Sequence, residues 1–266
     1  MKHTTSTKLS SLIFGSLVQL QDGLNAMIDH SWRNVRTPDD WSLAITMETA
    51  ELIDSYPWKW WKNISSEPDF NNIRIELVDI FHFSLSGAMM VQSIVSDKIA
   101  MIAKINLSDS FIPFKPKTTG YTTAVNGMAF LPLSNTENAL ATFRNLIQLA
   151  NIYRFDIITE VIICAAQDFN FNLVAYYIAK HTLNFIRQLN GYKSGSYVKV
   201  KNDVEDNVLL HSCIENLTLD ETLDENQYTK VWNNIMCKVY DSFQVPNEDR
   251  KDVKYWTSLA KEQTLS

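Results

Sequence analysis

Apolar residues recur along this chain mostly at steps of three and four, the period of an amphipathic helix rather than a strand. Ile13, Leu17, Leu20, Leu24, Met27 and Ile28 predict a first helix over roughly 8–28, ending near Asp29. Thr37-Pro38-Asp39-Asp40 is a start signal, with Pro and acids in the first turn, for a second helix to about Ser55; Pro57 then breaks it. Pro68-Asp69 opens a third, in which Ile73, Leu77, Ile80, Phe81, Ser84, Leu85 and Ala88 form one stripe, running to about residue 95. Beyond a break, 135–151, 155–168 and 171–189 read as three helices with very short connections, which favour antiparallel neighbours. Gly191 and Gly195 end the last of them in a polar loop, and two more helices are expected near 223–243 and 248–262. The break itself, about 106–132, holds three prolines, two glycines and the Thr-rich run KPKTTGYTTAVNG, so it reads as a loop or inserted excursion. The expected organisation is one all-α domain over 1–266.

Composition supports long elements: seven Gly and seven Pro in 266 residues are too few for a many-turned β architecture. A net charge of -6 argues against a polynucleotide partner, which needs many Lys and Arg contacts to phosphates. It leaves room for a small anion whose phosphates are neutralised by metal ions and a few local cations. Cys164, Cys213 and Cys237 are odd in number and far apart, which suggests neither a disulfide framework nor a zinc site. The apolar stretch near the start is interrupted by Ser11, Ser16 and Gln19, and no run reaches the length of a membrane span. An intracellular protein, in cytoplasm or nucleus and off the membrane, is expected.

Candidate chemistry begins with two acidic i, i+3 pairs on successive predicted helices, Glu48 with Glu51 and Glu76 with Asp79. At about 100° per residue, Glu48 falls inside the apolar stripe of its helix, while Glu76 and Asp79 border theirs with Phe83 between them. A carboxylate forced toward an apolar environment needs a cation or donors. Four converging carboxylates offer the hard oxygen donors that magnesium or manganese prefers. The bland alternative is a solvated acidic face. A di-iron bundle would want Glu-x-x-His on two helices; Asp79-x-x-His82 is the nearest approach, and Glu51 has no histidine three residues on.

Other groups suit a nucleotide. Gln21 and Asn25, at i, i+4 on the first helix, could present paired amide donors and acceptors to a base edge, or be ordinary polar residues near a helix end. Lys180, Asn184 and Arg187 share one face of a later helix, and the two cations, two turns apart, could grip successive phosphates or simply face solvent. Trp58, Trp60 and Trp61 could stack on a base or be core or interface anchors. No glycine-rich phosphate loop of either common pattern is present.

The strings QLQDGLNAMID, ITMETAELIDSYPWKWWK, IELVDIFHFSLSGAM, IAKHTLNFIRQLNGYKSGSYVK and VEDN together resemble the successive motifs of the dimeric all-α dUTPases, relatives of the MazG-like NTP pyrophosphatases. The resemblance implies a helical bundle with a four-helix catalytic core. It assigns magnesium, two or more ions per site with manganese a possible substitute, to Glu48, Glu51, Glu76 and Asp79. It places uracil and sugar at Gln21, Asn25, Trp61, Phe83 and Asn184 with Tyr192 closing over them, and phosphates at Lys180, Arg187, Lys199 and Asn207. Of these, Lys199 and Asn207 fall on what reads as a loop. The implied reaction is attack of water at the α-phosphorus of dUTP, with Glu48 as general base, giving dUMP and pyrophosphate; dUDP would also serve, and the enzyme would be a homodimer. A broader nucleotide pyrophosphatase and a non-enzymatic helical scaffold are the competing readings.

Overall fold

The computed structural model describes residues 11–95, 124–125, 128–129, 133, 136–215 and 227–265. They form an all-α fold with ten α-helices and two short two-stranded pairs. Most of the expected 106–132 excursion lies outside the described residues; within it, β1 (Ala124–Val125) pairs antiparallel with β2 (Met128–Ala129). No single described helix is long and apolar enough to cross a membrane. The chain divides into two compact units, one of residues 36–173 and one joining 1–35 to 174–266.

The 36–173 unit is a four-helix arrangement of α3 (Pro38–Asp54), α4 (Phe70–Val95), α5 (Thr136–Asn151) and α6 (Phe155–Asp168). Helix α3 packs on α4 and α5, α4 also packs on α6, and α5 packs on α6, so the four close around one core. Helix α3 starts where the sequence signalled: the Thr37 backbone N–H donates to the Asp40 carboxylate at 2.8 Å, and Pro38 fills the first helical position. Asp69 starts α4 by accepting from the Asn71 and Asn72 backbone N–H groups at 3.1 and 3.0 Å, satisfying donors that have no partner inside the helix.

Three contacts fix the register of α3 on α4. The Trp41 and Phe83 rings lie 6.3 Å apart, the Glu48 carboxylate meets those of Glu76 and Asp79, and the Asp69 N–H donates to the Ser55 carbonyl at 2.9 Å. Each step forward of seven residues on α3 matches a step back of seven on α4, so the helices run antiparallel with a two-turn repeat at their seam. Ile45, Leu52, Ile73, Leu77 and Ile80 are fully buried in this unit. Gly87 lets α4 approach α6: a Cβ there would stand 2.7 Å from the Phe155 ring.

The second unit contains α1 (Ser11–Ile28), α2 (Trp32–Val35), α7 (Leu173–Leu189), β3 (Val200–Lys201), β4 (Val204–Glu205), α8 (Asp206–Glu215), α9 (Tyr228–Ser242) and α10 (Val253–Leu265). Helix α1 packs on α10. Buried aromatic rings join α7 to the C-terminal helices: Phe185 meets Trp256 at 5.2 Å and Tyr240 at 6.3 Å, both edge to face. Gly191 ends α7 with φ +86°, a left-handed conformation that a side chain would disfavour. The short α2 and α8 were not expected from the sequence, because elements of four and ten residues carry little periodicity. As a result Asn207, expected on a loop, stands in the first turn of α8.

Candidate active site

Helices α3 and α4 bring three of the four candidate metal ligands together. One carboxylate oxygen each from Glu48, Glu76 and Asp79 lies within 4.8 Å of the others. Glu76 is 4% exposed, while Glu48 and Asp79 are half-buried. The helical wheel had placed Glu48 deepest; in the structure Glu76 is the more enclosed, although α3 and α4 each pack on two helices of this unit. His82 is buried but stands outside the cluster, so the di-iron pattern stays incomplete.

Three carboxylates this close repel one another, and a hard divalent cation would turn the repulsion into attraction. The donor set fits magnesium or manganese: all oxygen, two of the three groups still reachable from solvent, no sulfur or imidazole. Glu51, the fourth candidate, lies one turn along α3 and is exposed. It lines an open cavity of about 440 Å³ with Asp54, Glu67, Asp69 and Asn72 instead of joining the other three acids.

The aromatics of this unit divide. Phe83 is half-buried against Trp41. Trp58, Trp60 and Trp61 are exposed, Trp60 to 80%, so the core-anchor reading of this cluster is corrected. Trp61 meets the other two rings edge to face at 5.4 and 5.5 Å. Trp58 is held by its indole N–H, which donates to Asp54 at 3.1 Å. Lys59 pairs with the same carboxylate and, with Trp58, lowers its pKa.

The other unit carries the groups expected to read base and phosphates. Gln21 and Asn25 are buried and joined by a 2.9 Å hydrogen bond from Nε2 to Oδ1. The Tyr177 hydroxyl lies 3.1 Å from both Gln21 Oε1 and the Leu17 carbonyl, which fixes the amide's orientation. Burial raises the Tyr177 pKa well above its ordinary value, so the group stays a neutral donor.

Lys180 and Arg187 are 1% and 7% exposed, and this corrects the solvent-facing alternative for them. Lys180 Nζ donates to Asn207 Oδ1 at 2.9 Å, and Arg187 Nη2 donates to the same oxygen at 3.2 Å. Arg187 also donates from Nε and Nη2 to the two oxygens of Asp206 at 2.9 and 2.8 Å, a bidentate pair, and lies 3.4 Å from Asn184 Oδ1. The Tyr197 hydroxyl donates to Asp206 at 3.0 Å. Burial alone would raise the Asp206 pKa, but Arg187, Tyr197 and Lys180 outweigh it and hold the carboxyl below its ordinary range. For Tyr197, burial and the Asp206 charge push the phenol up to about 12.

Tyr192 is exposed, with the Arg187 guanidinium 5.8 Å and the Lys199 ammonium 6.0 Å from its ring. Sequence reasoning missed Asp206, Tyr197 and Tyr177. The signal that could have found Asp206 was chemical: cations on a mostly apolar helix call for an acid, and the VEDN string supplies one.

A carboxylate cluster in one unit and a lysine, arginine and amide network in the other are the kinds of group that phosphoanhydride chemistry uses. A search of the curated proteins found no match to this chain. A family model described as dUTPase matches residues 13–192, which include the acids of α3 and α4, the Gln21–Asn25 pair and the cations of α7. On that match, over more than half its length, the chain belongs to the all-α dUTPases, enzymes that hydrolyse dUTP.

Proposed function

We propose that this enzyme cleaves dUTP between its α- and β-phosphates in a magnesium-dependent reaction, releasing dUMP and pyrophosphate. The observation that carries the reading is the convergence of Glu48, Glu76 and Asp79 within 4.8 Å in a chain of the dUTPase family. Those three acids would hold the metal; Glu51, which lines the neighbouring cavity here, is a fourth ligand on the family resemblance alone. Magnesium bound there supplies positive charge for the phosphates and makes nearby water more acidic.

Glu48 is the group assigned to take the proton, since a half-buried carboxylate can face a water while Glu76 is enclosed. The water oxygen bonds to the α-phosphorus, the bond from that phosphorus to the bridging oxygen breaks, and the electron pair leaves with pyrophosphate. Lys180, Arg187, Asn207 and Lys199 would stabilise the charge on the phosphates, Arg187 with its planar fork and Lys180 as a point charge. Gln21 and Asn25, locked by Tyr177, would present the uracil edge with a fixed set of donors and acceptors. Asn184, Phe83 and Trp61 would bound the nucleoside, with Tyr192 closing over it. dUDP would serve too, yielding dUMP and phosphate, since the same bond is cut. The biological result would be removal of uracil nucleotides from the DNA precursor pool and supply of dUMP, inside the cell and by a homodimer.

The test is product release from dUTP, dUDP, dTTP, dCTP and UTP with and without magnesium. Turnover of the uracil deoxynucleotides alone, abolished by chelation, is the expected result. Equal turnover of all would make the enzyme a broader nucleotide pyrophosphatase, and turnover without metal would remove the role given to the acids.

A further inference from the structure

We propose that Asp206 is a positioning residue for hydrolysis, the anchor that holds Lys180 and Arg187 aimed at one point where a phosphate oxygen binds. The starting observation is that two cationic side chains from α7 place their nitrogens within 2.9 and 3.2 Å of a single atom, Asn207 Oδ1. Like charges do not converge on one spot unaided. Asp206, 4% exposed and adjacent in sequence to Asn207, supplies the opposing charge through two hydrogen bonds to Arg187.

The geometry ties three segments together at one carboxylate. Helix α7 contributes Arg187, the loop after it contributes the Tyr197 hydroxyl, and α8 contributes Asp206 itself in its first turn. The loop also carries Tyr192, whose ring the Arg187 guanidinium approaches to 5.8 Å. A buried ion pair is poor value as a stabiliser, since apolar residues of the same volume would do as well or better. Its use here is orientation: Asp206 takes Nε and one terminal nitrogen of Arg187 and so sets the plane of the guanidinium. Asn207 Oδ1 marks the point on which Lys180 and Arg187 converge, and an oxygen of the substrate's phosphates would bind beside it. Holding the carboxyl below its ordinary pKa range keeps it ionised at neutral pH.

The inference rests on the reading of Lys180 and Arg187 as phosphate contacts, and the experiment separates the two. The full-length enzyme with magnesium is assayed for KM and kcat with dUTP, and for inhibition by pyrophosphate and by deoxyuridine, which carries no phosphate. Asp206→Asn, which keeps shape and one acceptor but loses the charge, should raise KM for dUTP and the inhibition constant of pyrophosphate about tenfold. The inhibition constant of deoxyuridine should stay within about twofold, a selectivity that general loosening of the fold would not produce. Arg187→Lys should weaken pyrophosphate in the same way. If Arg187→Lys weakens it and folded Asp206→Asn does not, the positioning role is overturned and the phosphate reading stands. Equal weakening of pyrophosphate and deoxyuridine by Asp206→Asn overturns it as well. If neither variant affects pyrophosphate, the phosphate reading of Arg187 fails and the anchor role fails with it. Should Asp206→Asn not fold, Tyr197→Phe decides: a selective rise of about threefold for pyrophosphate supports the role, and no change overturns it.

Discussion

The two units of this enzyme handle buried charge in opposite ways. In the 36–173 unit, α3 and α4 bring three like charges to within 4.8 Å, an arrangement that favours a cation from outside the chain. In the other unit, α7 and α8 bring opposite charges together, and Arg187 and Asp206 neutralise each other across two hydrogen bonds. On the proposed reading, the first site would be completed by a bound metal, whereas the second already has its counter-charge in the chain. The difference teaches where to look for ligand-dependent stability and where for preorganisation.

The largest effect should come from the first site. Glu48→Gln is expected to lower kcat on dUTP by about two to four orders of magnitude, the usual range for losing a general base, with the helical circular dichroism unchanged. If turnover survives, the proton goes elsewhere. The ion-pair side of the comparison is tested by denaturant unfolding. Asp206→Asn should cost about 3–5 kcal/mol, because it leaves the Arg187 charge buried beside a neutral amide. The double variant Arg187→Met with Asp206→Leu should cost clearly less than Asp206→Asn alone, and equal costs would contradict a neutralised pair.

A pH effect comes next. His181 is fully buried, 3.0 Å from the Leu20 carbonyl and edge to face with Trp256, and burial lowers its pKa to about 4 despite that hydrogen bond. Below an unfolded value of about 6.5 the unfolded chain takes up a proton that the folded chain refuses. The stabilising contribution is therefore whole above pH 6.5 and is lost as pH falls toward 4, a total of about 3 kcal/mol. In urea titrations His181→Gln should flatten that slope; an unaltered slope would place the titration in other groups.

Smaller effects mark the edges of the comparison. Gly87→Ala should destabilise by about 1–3 kcal/mol, since the new methyl meets the Phe155 ring at 2.7 Å. A neutral result in thermal melts would mean that α6 yields at that contact. Trp60→Ser should change stability by no more than about 0.5 kcal/mol, because its ring is 80% exposed. A larger loss would show that the ring is covered in solution.

Much of this was readable before any coordinates. The α3 and α4 boundaries followed from Thr37-Pro38 and Pro68-Asp69, since capping chemistry is local and written in adjacent residues. The span of α6, 155–168, also matched its expected bounds, without a side-chain cap at its start. Spacing alone placed Glu76 and Asp79 on one face of α4. Depth was less legible: Glu76 proved more enclosed than Glu48, because burial is set by where neighbouring helices lie against each face and not by a helix's own period. Lys180 and Arg187 could have faced solvent on their pattern alone; in the structure, residues of α8 and the preceding loop help to satisfy their charges in a buried setting.

What the amino-acid order determined by itself, then, was local: helix limits, the acidic pairs, the candidate base and phosphate groups, and the motifs whose resemblance named the dUTPases. What only the tertiary structure decided was which charges meet. Glu48 joins Glu76 and Asp79 while Glu51 turns to an open cavity, and Asp206, unremarked in the sequence, becomes the counter-charge of Arg187. The physical reason is range. Backbone periodicity and capping act over a few residues, whereas electrostatic pairing is set by distances through space between segments far apart along the chain.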